Sequence, residues 1–250
     1  MMEFKNCKDI PALRLLWKEA FGDTDEFLDA FFNTAYSHTH CLTAFIDNEL
    51  AGALYIIDCQ LDTQKIAYIY AVCTAKKHRR KGVCKNLLSH THKYLKDNGY
   101  TATILVPSGA ELFTFYENSG YKTLGYIDEF KCEKSEDTLN LCEIGAEEYM
   151  DLRQNFLGYN PLTLKNLDFL KTQYSFFKGT DFILTARKHQ DTLIATELLG
   201  NCDNADKIVS SLGCEKGVFR TMGTKKPFLM GISLYGTPFT ENIYFPFAFD

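Results

Sequence analysis

An apolar, β-branched run, Ile66-Ala67-Tyr68-Ile69-Tyr70-Ala71-Val72, leads into a knot of positive charge, Lys76-Lys77-His78-Arg79-Arg80-Lys81, which ends at Gly82. A helix pattern begins directly after it. Val83, Leu87, Leu88, Thr91 and Leu95 recur at the spacing of one helical face. A strand that delivers a basic, glycine-bearing turn onto a helix N-terminus builds an anion site. The first N–H groups of a helix have no intrahelical partner, and the helix dipole favours negative charge there. Gly82 adds a backbone position without a Cβ, so that a ligand can approach closely. The order predicts an α/β unit whose guest carries phosphate, most simply a pyrophosphate.

Other uses of a basic run are weaker. A nucleic-acid patch belongs to a chain with a broad basic face, whereas this chain has 27 Lys and Arg against 32 Asp and Glu, a formal net charge of −5. No G-x-x-x-x-G-K-[ST] loop and no G-x-G-x-x-G turn is present, so the two familiar nucleotide loops are excluded. A solvated charged turn is the remaining alternative.

The string Arg79-Arg80-Lys81-Gly82-Val83-Cys84 resembles the [Q/R]-x-x-G-x-[G/A] turn of the GCN5-related N-acetyltransferases (GNAT), with Cys84 in place of the final Gly or Ala. The resemblance spans Met2 to about Lys131. It implies an acetyl-CoA site in which the turn Arg79, Arg80, Lys81, Gly82, Val83, Cys84 and Lys85 holds the pyrophosphate through main-chain N–H groups. It also implies that strand N–H groups at Val72, Cys73 and Thr74 receive the acetyl oxygen.

A second segment fits the same family. Ala102-Thr103-Ile104-Leu105-Val106-Pro107 reads as a buried strand, and Ser108-Gly109-Ala110-Glu111 as a capping box opening a helix that Gly120 stops. Within it, Phe115-Tyr116-Glu117-Asn118-Ser119-Gly120-Tyr121 resembles the family's F-Y-x-x-x-G-[F/Y] signature. The resemblance implies that Tyr116 is the general acid. Expelling CoA as a bare thiolate is unfavourable, and a phenol with a pKa of about 10 can protonate it. Core packing is the competing role for one of 14 tyrosines.

The chain's 250 residues suffice for one large or two small domains, and 46% hydrophobic with 24% charged residues is ordinary for a soluble protein. No apolar run approaches a membrane span, and the N-terminus lacks a signal-peptide pattern. Nine scattered cysteines without a C-x-x-C pair suit reduced thiols, hence a cytoplasmic protein. His38-Thr39-His40-Cys41 and His90-Thr91-His92 are the only hints of metal clusters. Neither has a partner set, and no metal is expected.

An internal echo organises the rest. The first half reads strand 3–6, helix 10–21, helix 25–36, strand 41–46, a turn at Asp47-Asn48 and strand 50–59. After the charged stretch Glu133–Asp137 a similar order returns: strand 139–143, helix 145–157, helix 162–177, strand 181–187, a turn at His189-Gln190 and strand 192–199. Gly200-Asn201-Cys202-Asp203-Asn204 stands where a second basic turn would fall. A short helix and three strand-like runs follow, the last reaching the C-terminus. The expected fold is an α/β (α+β, mixed-sheet) GNAT domain over residues 1–132, followed by a degenerate GNAT-like domain over 138–250 that has lost its CoA site. The layout resembles the two-domain Eis-type branch, without that branch's third, sterol-carrier-like domain.

Acetyl transfer also needs a base for the acceptor amine. The strand before the turn offers Tyr68 and Tyr70 but no carboxylate. The branch resemblance implies a different candidate, the chain's terminal carboxylate at Asp250, behind the apolar run Ile243-Tyr244-Phe245-Pro246-Phe247. An edge strand finishing the second domain would explain that run equally well. Between the first two helices, Asp23, Asp25 and Glu26 would either cap a helix or favour a cationic acceptor. The expected reaction is acetyl transfer from acetyl-CoA to a primary amine of a small molecule or peptide, with neither nucleic acid nor membrane as partner. A homo-oligomer is compatible with the reading. A non-catalytic acyl-CoA-binding or regulatory protein on the same fold is the alternative.

Overall fold

The computed structural model describes residues 1–37, 40–61, 63–236 and 243–248, and the chain divides into two compact units. Of the described residues, the first unit holds Met1–Leu105, Asn118–Gly120 and residues 231–236. The second holds Val106–Glu117, Tyr121–Met230 and residues 243–248.

In the first unit, β1 (Met2–Asn6), β2 (Cys41–Ile46), β3 (Glu49–Leu61), β4 (Gln64–Thr74) and β5 (Ala102–Leu105) lie side by side in that order. The first three pairings are antiparallel, and β4 with β5 is parallel. Asp47 and Asn48 both adopt positive φ (50° and 67°), the conformation a tight two-residue hairpin requires. Helices α1 (Ile10–Phe21), α2 (Asp25–Thr34) and α3 (Val83–Asp97) complete the unit. Ala51–Ile57 of β3 and Ile66–Tyr70 of β4 are buried on both faces, which is why they read as unbroken apolar runs. Trp17 of α1 is 1% exposed, with ring centroids 4.8 Å from Phe31, 5.0 Å from Tyr55 and 5.6 Å from Tyr70.

The second unit contains α4 (Ala110–Glu117) and the strands β6 (Lys122–Glu133), β7 (Cys142–Ile144), β8 (Ser175–Lys178), β9 (Phe182–His189), β10 (Thr192–Gly200) and β11 (Lys216–Met222). Its helices are α5 (Ala146–Leu157), α6 (Leu164–Lys171) and α7 (Ala205–Ser211). The last strand, β12 (Lys226–Ser233), belongs in part to each unit.

Two expectations are corrected here. The helix expected over 162–177 ends at Lys171, and Ser175–Lys178 is a strand. Its aromatic pair Phe176-Phe177 prefers a pleated surface, and β8 pairs with both β7 and β9. The final strand-like run is not a strand: residues 243–248 have no regular secondary structure. Ile243, Tyr244, Phe245 and Phe247 are nevertheless all at least 95% buried.

With β8 in place the echo is complete. From β7 to β11 the strands stand in chain order with three antiparallel pairings and then a parallel one, the same sequence as β1 to β5.

Candidate active site

β4 carries the first element of the site. Opposite β3, Tyr70 pairs with Tyr55 and Cys73 with Ala53, so Ala71 and Val72 together face Leu54. This is a β-bulge, and Ala71 takes φ +46° to make it. Along its other side β4 pairs with β5 only over Ile66–Tyr68, yet it runs on to Thr74. The strands part there, and ladder groups of Ile69–Thr74 on that side are not taken up by β5. Ala71, Val72 and Thr74 are half-buried and Cys73 is buried. N–H groups offered from a bulged strand in a partly dry opening suit a carbonyl oxygen on which charge develops.

The turn supplies the second element. Lys76–His78 form one 3₁₀ turn, Arg80 takes φ +62°, and Gly82 takes φ +77° as the N-cap of α3. Left-handed residues in a short turn gather successive N–H groups into an anion-binding concavity. No side chain caps α3, and no acidic residue occupies its first turn. Arg79, Arg80, Lys81 and Lys85 are exposed, and among the described residues none is in an ion pair. Arg79 donates from Nε to the Thr74 carbonyl at 3.2 Å, which ties the turn to the end of β4. Lys77 and His78 of the knot are already engaged through their side chains, and Lys76 through its main chain only. Lys77 Nζ lies 2.5 Å and His78 Nε2 lies 3.6 Å from Glu49 Oε2, and the Lys76 N–H donates to Glu19.

Packing explains the glycine in β3 as well. A Cβ on Gly52 would stand 3.0 Å from the Cys73 carbonyl oxygen and 3.0 Å from Val83 Cγ1, so Gly52 lets the first turn of α3 settle onto β3 and β4. Sequence reading passed over Gly52, although an isolated glycine inside a strand pattern does signal close approach. Gly82 is needed for a different reason. Its nearest atom to an added Cβ is Asn86 Nδ2 at 3.4 Å, so the positive φ rather than space demands glycine. Burial pushes the Cys73 and Cys84 thiols up to about 12, so neither is a thiolate at neutral pH.

Tyr116 sits in α4 of the second unit, 7% exposed, its ring edge-on to Phe115 (5.2 Å) and Tyr121 (5.6 Å). Asp250 lies outside the described residues, as do His38 and Thr39. Asp23 and Asp25, between the first two helices, have structural partners, and Glu26 stands in the first turn of α2. Asp23 accepts from Trp17 Nε1 at 2.7 Å, Thr24 caps α2, and Asp25 pairs with Arg14 and Lys18. This satisfies the capping alternative and gives no support to selection of a cationic acceptor. Of the H-x-H pair on α3, His90 stacks on Phe4 at 4.6 Å, and burial lowers His92 to about 4.

The second copy has the bulge but not the site. In β10 the register shifts between Ala195 and Glu197, the position corresponding to Ala71-Val72 in β4. There β10 pairs with β11 from Thr192 to Ala195 and again at Leu198, past the bulge, so the strands rejoin. Gly200 at φ +100° and a 3₁₀ turn bearing Asp203 precede α7, which has Asp206 in its first turn, and these charges repel an anion. Glu197 is wholly buried. It receives Arg153 Nε at 3.1 and 3.0 Å and the Tyr149 hydroxyl. Arg153 Nη2 also donates to the Tyr244 carbonyl at 3.3 Å, and the Tyr244 and Phe247 rings stand 5.9 and 5.6 Å from its guanidinium. The apolar tail thus packs on this buried ion pair, which no motif had marked.

Glu197→Gln should leave the Arg153 charge uncompensated in the interior, at a cost of about 3 kcal/mol or more. Thermal unfolding of the variant is expected on the order of 10 °C lower. Replacing both partners by methionine should be milder. An unchanged melting temperature in the single variant would show that water reaches the pair.

Comparisons with known proteins agree with this geometry. A family model described as an acetyltransferase (GNAT) domain matches residues 6–124. No curated protein matches. Among solved structures, a GCN5-related N-acetyltransferase from Anabaena variabilis superposes with a TM-score of 0.72 at 15% identity, over 94% of this chain and 73% of that one. Eis1 from Mycobacterium abscessus gives 0.60 at 11% identity, over 92% and 73%. A tandem GNAT protein from the clavulanic acid biosynthesis pathway gives 0.59 at 8% identity, over 94% and 99%. Residues 6–124 therefore match a GNAT acetyltransferase domain, in a chain that shares its fold with GNAT structures, a tandem one among them.

Proposed function

We propose that this protein transfers an acetyl group from acetyl-CoA to a primary amine of a small molecule or peptide, by direct attack of the amine on the thioester. The observation that carries the reading is the bulged, parting strand β4 ending in an uncapped basic helix turn, all within the segment that matches the family. In this reading residues 1–132 form the CoA-binding catalytic part and 138–250 the degenerate copy. Free cysteines among the described residues fit a cytoplasmic location.

The bound thioester supplies the activated acetyl group. N–H groups at Val72, Cys73 and Thr74 stabilise the oxygen as the carbonyl carbon becomes tetrahedral. The turn Arg79–Lys85 holds the pyrophosphate. A base takes the proton from the amine, the new C–N bond forms, and as the C–S bond breaks Tyr116 protonates the departing sulfur. Cys73 and Cys84 are neutral at working pH, which favours direct attack over a cysteinyl intermediate.

The base is assigned to the Asp250 end of the chain. Support comes from the absence of a carboxylate on β4 and from burial of the run that leads there. Appending two glycines displaces the terminal carboxylate and should lower kcat while leaving acetyl-CoA affinity unchanged. Normal turnover by the extended protein would move proton removal to water or another carboxylate.

The function is tested by measuring free CoA thiol released over a panel of amines, alongside acetyl-CoA thermal shifts. Thiol release that depends on one acceptor class supports the enzyme. The missing strand carboxylate favours a second reading, a non-catalytic acyl-CoA-binding protein. Thermal stabilisation without thiol release from any amine would establish that one instead.

A further inference from the structure

The two copies differ in the length of one helix. In the first unit α3 has 15 residues, and its second half buries Thr91 and Leu95. Its counterpart α7 has 7 residues and gives way at Leu212. The missing length is about 12 Å of helix. Beyond the end of α7 there is a cavity of about 630 Å³. Its floor is the face of the second sheet that α7 covers elsewhere: Phe177 of β8, Ala186 of β9 and Leu193 of β10, with Leu212 beside them.

The wall of this cavity is charged. Lys188 stands directly across from Leu193 in the β9–β10 ladder, and Lys171 and Arg187 also line the space. Arg187 alternates with Ala186 and Lys188, so its side chain leaves the opposite face of β9 and is held 5.0 Å over the Tyr174 ring. Glu143 is the one acidic lining residue. Among the described residues none of these three cations is in an ion pair. The volume is that of a small-molecule site, and an apolar floor with a few convergent polar groups is the usual composition of one.

We propose that this cavity binds a small amphipathic anion, with an apolar body on the floor left by the short α7 and a carboxylate or phosphate-ester head on Lys171 and Lys188. The site is separate in residues from the acetyl-CoA reading, and it assigns a ligand-binding role to the copy that has lost the CoA site.

The test is isothermal titration of the full chain with octanoate, octyl phosphate, octylamine and inorganic phosphate. At least one of the two octyl anions should bind saturably at one site per chain, and the pair identifies the head group. Lys188→Glu and Lys171→Glu change exposed side chains, and each should weaken that binding at least about 10-fold. Gly82→Val, remote in sequence from the cavity lining, should leave it unchanged. Absence of saturable binding by either octyl anion would overturn the proposal. So would equal affinity for octylamine or inorganic phosphate, equal affinity in both charge variants, or loss of binding in Gly82→Val.

Discussion

Gly82→Val should abolish measurable acetyl-CoA binding while leaving the fold largely intact. The residue sits at φ +77°, where a β-branched side chain is strained by about 1–2 kcal/mol. The strain is relieved by rotating the peptide planes around it, and those planes carry the N–H groups that would face the pyrophosphate. The surroundings would tolerate the change, because nothing but Asn86 Nδ2 comes within 4 Å of an added Cβ. Acetyl-CoA titration followed by thermal shift checks this. Wild-type affinity in the variant would return the turn to the role of a solvated charged loop. Gly82→Ala should lie between the two, since it meets the same φ with less crowding.

Tyr116→Phe should lower kcat by about 10²–10⁴-fold with little change in acetyl-CoA affinity, the range expected when an acid/base group is lost. The substitution keeps the ring that packs edge-on against Phe115 and Tyr121 and removes only the hydroxyl. A structural role would therefore appear as near-normal turnover with a modest stability change. Poorer leaving groups should suffer more in the variant than activated thioesters, because the donor matters most where the thiolate is least stable. Equal losses across such a series would argue against proton donation.

Much of the first unit was legible in the residues. The helix at Ile10–Phe21 and the strand at Cys41–Ile46 appear with the expected bounds, and the Asp47-Asn48 hairpin sits where positive φ was affordable. These elements announce themselves locally, through period, capping and turn chemistry. The Ser175–Lys178 strand did not, because Phe176 and Phe177 continue the apolar spacing of α6 and only their pairing with β7 and β9 decides between helix and strand. The apolar end of the chain is the same case. Its burial could be read from composition, but its irregular path depends on Arg153 and Arg220 donating to its carbonyls and on the Tyr159 hydroxyl accepting the Tyr244 N–H.

By itself, then, the sequence determined the strand, basic turn and helix that make an anion site, and the order of elements that repeats. Those features are written in nearest-neighbour chemistry. Only the tertiary structure decided which copy can use the arrangement. Both have a bulge in the equivalent strand, but β4 leaves β5 after Tyr68 while β10 pairs with β11 again at Leu198, beyond its bulge. Beside the bulge of the second copy sits a buried glutamate whose charge is met by Arg153, 44 residues away, and by the Tyr149 hydroxyl. Strand separation and the neutralisation of a buried charge both depend on partners distant in sequence, so no local pattern could have reported them.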